Sequence, residues 1–73
     1  MKNEIINIIA EINPYVSIDD NTNLIEEEIL DSLGIMVLIN ELEQRYNITI
    51  PIDSIQTDDF VNLEAIINMI NRY

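Results

Sequence analysis

The chain has 73 residues, 14 of them acidic and three basic, for a formal charge of −11, and it contains neither cysteine nor histidine. That balance excludes nucleic acid as a partner, because only Lys2, Arg45 and Arg72 could replace phosphate counterions. Without Cys or His there are no disulfides, no His-based metal site and none of the common nucleophile–base pairs of an enzyme.

Ile5, Ile8, Ile9 and Ile12 recur at helical spacing, which predicts a first helix from Lys2 to about Asn13, stopped by Pro14. A long loop follows, rich in turn formers (Ser17, Asp19, Asp20, Asn21, Thr22, Asn23). Leu24, Ile25 and Ile29 are its expected core anchors, with Glu26, Glu27 and Glu28 facing water. Asp19, Asn21 and Asn23 fall at the first, third and fifth places of a calcium loop. Leu24 at the sixth place and Leu30 at the twelfth lack the required glycine and glutamate. No metal site is expected there.

A second helix is predicted from Ser32 to Tyr46, closed by Asn47. Ile48 to Ile52, with Pro51, reads as an extended passage, and Asp53 is expected to cap a short helical turn reaching Asp59. Asn62 is expected to cap a last helix with a core stripe of Leu63, Ile66, Ile67 and Ile70, running to Tyr73. The reading is an all-α fold: one domain over residues 1–73, three main helices plus one short one.

The second helix has more apolar residues than one buried face uses. Ile35, Leu38, Ile39, Leu42 and Tyr46 form one stripe; Leu33, Met36 and Val37 form another, roughly 150° around at about 100° per residue. Asn40 extends the second stripe, and Glu41 and Gln44 border it. Either the helix is buried all round, or the second stripe is exposed and partners dock on it, with methionine suited to such a surface. In the second case Glu41, Glu43 and the preceding acidic loop would rim the patch with charge, and a partner with a basic surface would be the counterpart.

Ser32 at the helix start is an expected N-cap. A helix N-terminus also gathers unpaired N–H groups and partial positive charge, which favour a phosphate. Serine here therefore reads either as a cap or as a modified residue.

Leu30-Asp31-Ser32-Leu33-Gly34, the apolar helix ending in Glu41-Leu42-Glu43-Gln44-Arg45-Tyr46-Asn47-Ile48, the Ile50-Pro51 passage and the closing Asn62-Leu63-Glu64-Ala65-Ile66 together resemble the acyl carrier protein family over nearly the whole chain. The resemblance implies that a phosphopantetheinyl transferase attaches phosphopantetheine from coenzyme A to Ser32, and that Asp31 engages the transferase and its magnesium ion. It implies that Leu33, Met36, Val37, Asn40 and Glu41 face partners. Those partners would be an acyl- or aminoacyl-loading ligase or synthetase and downstream acyl-transfer enzymes. Val37 stands where many members carry glutamate, so docking should be more apolar than usual.

The Leu30-Asp31-Ser32-Leu33-Gly34 opening is similar to D-alanyl carriers of cell-wall alanylation and to stand-alone natural-product carriers. Residues 28–31 lack the Gly-Gly-His/Asp-Ser pattern of modular peptide synthetases. The expected function is a non-enzymatic carrier of an acyl or aminoacyl thioester, with a D-alanyl carrier as the alternative. From another class, an unmodified acidic adaptor or a phosphoserine switch remains open. The N-terminus makes a poor signal peptide, and the longest apolar run, Ile35 to Ile39, is too short for a membrane span. A cytoplasmic monomer is expected.

Overall fold

The computed structural model describes all residues from Met1 to Tyr73. It is all-helical: α1 (Lys2–Ile12), α2 (Ser32–Tyr46) and α3 (Leu63–Ile70), with two 3₁₀ turns, Ile52–Ser54 and Thr57–Phe60, between α2 and α3. No strand is present.

Each helix forms because an apolar stripe finds a partner. Ile5, Ile8 and Ile9 of α1 meet Leu38, Ile39 and Leu42 of α2 and Leu63, Ile66, Met69 and Ile70 of α3 in one core. Phe60 is its largest fully buried side chain, and Leu24, Ile29, Leu30 and Ile50 complete it from the connecting segments. Burial at roughly 25 cal/mol per Å² of apolar surface is the main drive toward this arrangement. Ile12, Ile35, Tyr46 and Ile67, expected in the core stripes, lie at its edge and are only partly buried. Met69 takes the place expected for Ile67.

Local chemistry sets the ends. α1 stops at Ile12, with Asn13 as its C-cap. Asn47 closes α2 in the left-handed conformation (φ 53°), one of the few residues other than glycine that tolerate it. The Asn62 side chain accepts the Ala65 N–H at 2.8 Å and caps α3. That helix ends three residues before the expected Tyr73. The N–H groups of Arg72 and Tyr73 instead bond three residues back, to Met69 and Ile70, in a tightened last turn.

The short helix expected from Asp53 to Asp59 is two separate 3₁₀ turns. Asp53 lies inside the first rather than capping it. Gln56 precedes the second, and its N–H donates to Asp59 Oδ2 at 2.8 Å. Ile55 adopts an extended conformation between the turns, so no continuous helix can form.

The long loop is held by its own polar side chains. Asp19 Oδ1 accepts from the Asn21 N–H at 2.8 Å and from the Thr22 hydroxyl at 3.1 Å. Asn23 Oδ1 accepts from the N–H groups of Ile25 and Glu26. The Leu24 N–H donates to Val61 O at 2.8 Å, and the Leu24 carbonyl accepts from Ile29 and Leu30. This folds Leu24, Ile29 and Leu30 inward and delivers residues 31 and 32 to the surface. Leu30 is an anchor that the loop reading omitted.

Candidate functional site

Ser32 is the first residue of α2, but it is not the N-cap expected from the sequence. Asp31 is the cap: its extended backbone (φ −107°, ψ −174°) precedes the helix, and its Oδ1 accepts the Gly34 N–H at 2.7 Å. Its carbonyl also takes the first helical bond, from the Ile35 N–H at 2.8 Å. Aspartate and serine cap about equally well, so the tripeptide Asp-Ser-Leu left the choice open. In the structure Asp31, directly after the buried Leu30, takes the cap and Ser32 the first helical position.

The Ser32 hydroxyl is therefore released from capping, and the residue is exposed. It stands in the first helical turn, where the remaining N–H groups and the helix dipole favour a phosphate by about 0.3–1 kcal/mol, against the repulsion of the neighbouring Asp31 carboxylate that already caps this end. An exposed primary alcohol with that field behind it fits a covalently attached phosphodiester. Gly34, two residues on, is buried on the side of α2 that faces α1. A Cβ there would lie 3.3 Å from Asp31 Oδ1 and 3.5 Å from the Ile12 methyl, so its lack of a side chain lets cap and α1 approach.

The second stripe of α2 is open to solvent, which overturns the reading of a helix buried all round. Leu33 is 73 % exposed, Met36 50 % and Val37 42 %. Asn40 is exposed and Glu41 half-buried on the same side. Glu43, expected on the rim, turns away instead, and its Oε2 accepts the Ile50 N–H at 2.9 Å.

Two grooves flank Ser32. Toward α1, a groove of about 410 Å³ is floored by Ile8, Ile12 and Ile29 and bordered by Leu33 and Val37, with Glu11, Glu28, Asp31 and Glu41 along it. Toward the 3₁₀ turns, a groove of about 260 Å³ includes Ser32 itself, and none of its lining residues is charged. No cation balances the acids near Ser32. Lys2 pairs with Asp20 at 2.9 Å, Arg45 with Glu4 at 3.9 Å and Arg72 with Asp59 at 3.2 Å, so all three are engaged elsewhere.

The shifted ionisations lie away from the serine. For Asp59, burial alone would raise the carboxyl, but the Gln56 N–H and the Arg72 guanidinium outweigh it and hold the group below the usual aspartate value. Arg72 is raised in turn by its bonds to Asp59. Tyr46 is raised first by burial and then by its hydrogen bond to Glu4, made at 3.0 Å.

Residues 3–70 match the family model described as the phosphopantetheine attachment site. The chain belongs to the phosphopantetheine carrier proteins. As a carrier protein of this family it holds phosphopantetheine covalently. The carrier is similar to the D-alanyl carrier protein of Listeria monocytogenes serotype 4a, with 31 % identity over 71 residues, covering 94 % of this chain and 91 % of that one. It is 30 % identical over 73 residues to the D-alanyl carrier protein of Bacillus velezensis (97 % and 94 % covered). It is also 34 % identical over 73 residues to that of Streptococcus suis (93 % and 87 % covered). No helix of the carrier is long and apolar enough to cross a membrane.

Proposed function

We propose that Ser32 is the attachment residue, and that the carrier presents an aminoacyl or acyl group as a thioester between partner enzymes. The observation that carries this is the division of labour at the start of α2. Asp31 supplies the cap, which leaves an exposed hydroxyl at the positive end of a helix. In the modification, the Ser32 oxygen attacks a phosphorus of the coenzyme A pyrophosphate, and a new O–P bond forms as the old one breaks. Adenosine bisphosphate leaves, and the hydroxyl proton passes to a base of the phosphopantetheinyl transferase. The terminal thiol of the attached arm then supplies the thioester that holds cargo.

Asp31, the exposed Leu33, Met36, Val37 and Asn40, and the half-buried Glu41 form the surface a transferase or loading ligase covers when it reaches Ser32. Their mix of apolar side chains and carboxylates suits a partner with an apolar contact framed by basic residues. Catalysis is assigned to those partners, and the carrier works in the cytoplasm, where coenzyme A is available.

D-alanine is the cargo that the likeness to D-alanyl carrier proteins favours. Holo-protein offered ATP, a D-alanine-activating ligase and either D-alanine or a fatty acid with its own ligase separates the branches. D-alanyl thioester formation supports the alanylation reading. Acylation by fatty acid alone moves the protein to the general acyl branch.

A further inference from the structure

Resting on the reading of Ser32 as the attachment residue, we propose that Arg72 and Tyr73 are positioning residues for the reaction at that serine. They do so by setting the far wall of the uncharged groove beside it. That groove has Ser32, Met36 and Ile39 of α2 on one side and Ile52 and Ile55 on the other, with Phe60 at its base. Met36 and Ile52 are both exposed, at 50 % and 56 %. An enzyme that brings its reacting group within bonding distance of the Ser32 oxygen covers the residues sharing that groove. The position of Ile52 is thus part of what the enzyme meets.

Ile55 packs against the core and Ile50 is buried, but the exposed end of the wall at Ile52–Ser54 has few anchors of its own. No residue of the first 3₁₀ turn is buried. Its backbone bonds are internal, from the Ser54 N–H to Pro51 O and from the Ile55 N–H to Ile52 O. The Ser54 hydroxyl donates to Pro51 O at 2.9 Å, so its oxygen is left to accept, and Tyr73 Oη donates to it. This is the one hydrogen bond leaving the turn.

The neighbouring residue holds the second turn. Arg72 Nη1 and Nη2 reach Asp59 Oδ1 and Oδ2 at 3.3 and 3.2 Å, a two-pronged contact whose planar geometry lysine cannot reproduce. The guanidinium lies 5.9 Å from the centre of the Tyr73 ring, so one cation steadies both contacts. Two adjacent side chains just beyond α3 therefore clasp both turns and tie the Ile52 side of the groove to the end of that helix.

The test uses the whole unmodified chain, coenzyme A and a broad-range phosphopantetheinyl transferase, with initial rates taken over a range of carrier concentrations. Tyr73→Phe removes only the hydroxyl, Arg72→Met removes the fork, and Arg72→Lys keeps the charge. Loss of the Tyr73 contact is expected to raise the KM for the carrier about five-fold, the scale of one net hydrogen bond, with kcat unchanged. Arg72→Met behaves similarly and Arg72→Lys recovers part of the loss. Amide exchange at Ser54 and Ile55, the two bonded amides of the turn, quickens in step with KM, while the amides of α1 and α2 hold their protection. An unchanged KM in Tyr73→Phe and Arg72→Met, with wild type modified on Ser32, overturns the clasp alone. A KM that simply tracks melting temperature across the variants overturns it as well. Wild type that takes up no arm on Ser32 overturns the attachment reading, and this inference with it.

Discussion

Asp31 accepts the Gly34 N–H through its side chain at 2.7 Å, so the residue that starts α2 chemically is the one before Ser32. Cap and negative charge reside in the same carboxylate, and two substitutions separate them. Asp31→Asn keeps an oxygen for Gly34 and is expected to melt close to wild type. Asp31→Ala loses the cap and about 1 kcal/mol of stability. If the charge helps engage the transferase, both variants are modified more slowly, although only one is less stable. Chemical denaturation alongside modification rates reads the two effects.

Gly34 offers a second handle on the same geometry. A Cβ there already stands 3.3 Å from the capping oxygen, and the branches of valine would press on Asp31, Ile12 and Leu30 together. Gly34→Val should destabilise by about 1–3 kcal/mol, as overpacked sites do, and separate the start of α2 from α1. Denaturant midpoints measure this; a variant as stable as wild type would show that the contact is slack.

Most of the helical frame was legible in the sequence because isoleucine and leucine at spacings of three and four leave few alternatives. Asn47 and Asn62 also announced a helix end and a helix start. The exposed stripe Leu33-Met36-Val37 was legible as a surplus, though the sequence alone could not say whether it was buried. Three features were hidden. The cap went to Asp31 rather than Ser32, a choice between two equally good capping residues that local pattern does not make. Phe60 enters the core from a 3₁₀ turn, whose few residues carry no periodicity. The clasp of Arg72 and Tyr73 on Asp59 and Ser54 joins residues 13 and 19 positions apart, a distance over which pattern reading has no purchase.

Asp59 gives a pH dependence with a definite sign. Its folded-state pKa is depressed, so its stabilising contribution is fully present above the unfolded aspartate value. That contribution is lost as pH falls through the lower folded value. Unfolding free energies of wild type and Asp59→Asn should therefore differ most near neutrality and converge on acidification below about pH 4. A difference that stays constant down the acid limb would mean the carboxylate is not linked to folding.

Salt tests the charge balance. With a formal charge of −11 and all three side-chain cations engaged, the remaining carboxylates repel one another. Added salt shortens the screening length to about 10 Å at 0.1 M. Salt or magnesium should raise the melting temperature at neutral pH. A melting temperature independent of salt would show that self-repulsion does not limit stability.

Mapping the modified residue speaks most directly to the carrier reading. The protein is incubated with coenzyme A and a broad-range transferase, weighed intact, and fragmented to locate the added group. The expected result is one phosphopantetheine on Ser32, none on a folded Ser32→Ala protein, and equal stability of the two within about 0.5 kcal/mol because the hydroxyl caps nothing. An unmodified wild type, or an arm found on the Ser32→Ala protein, would contradict it.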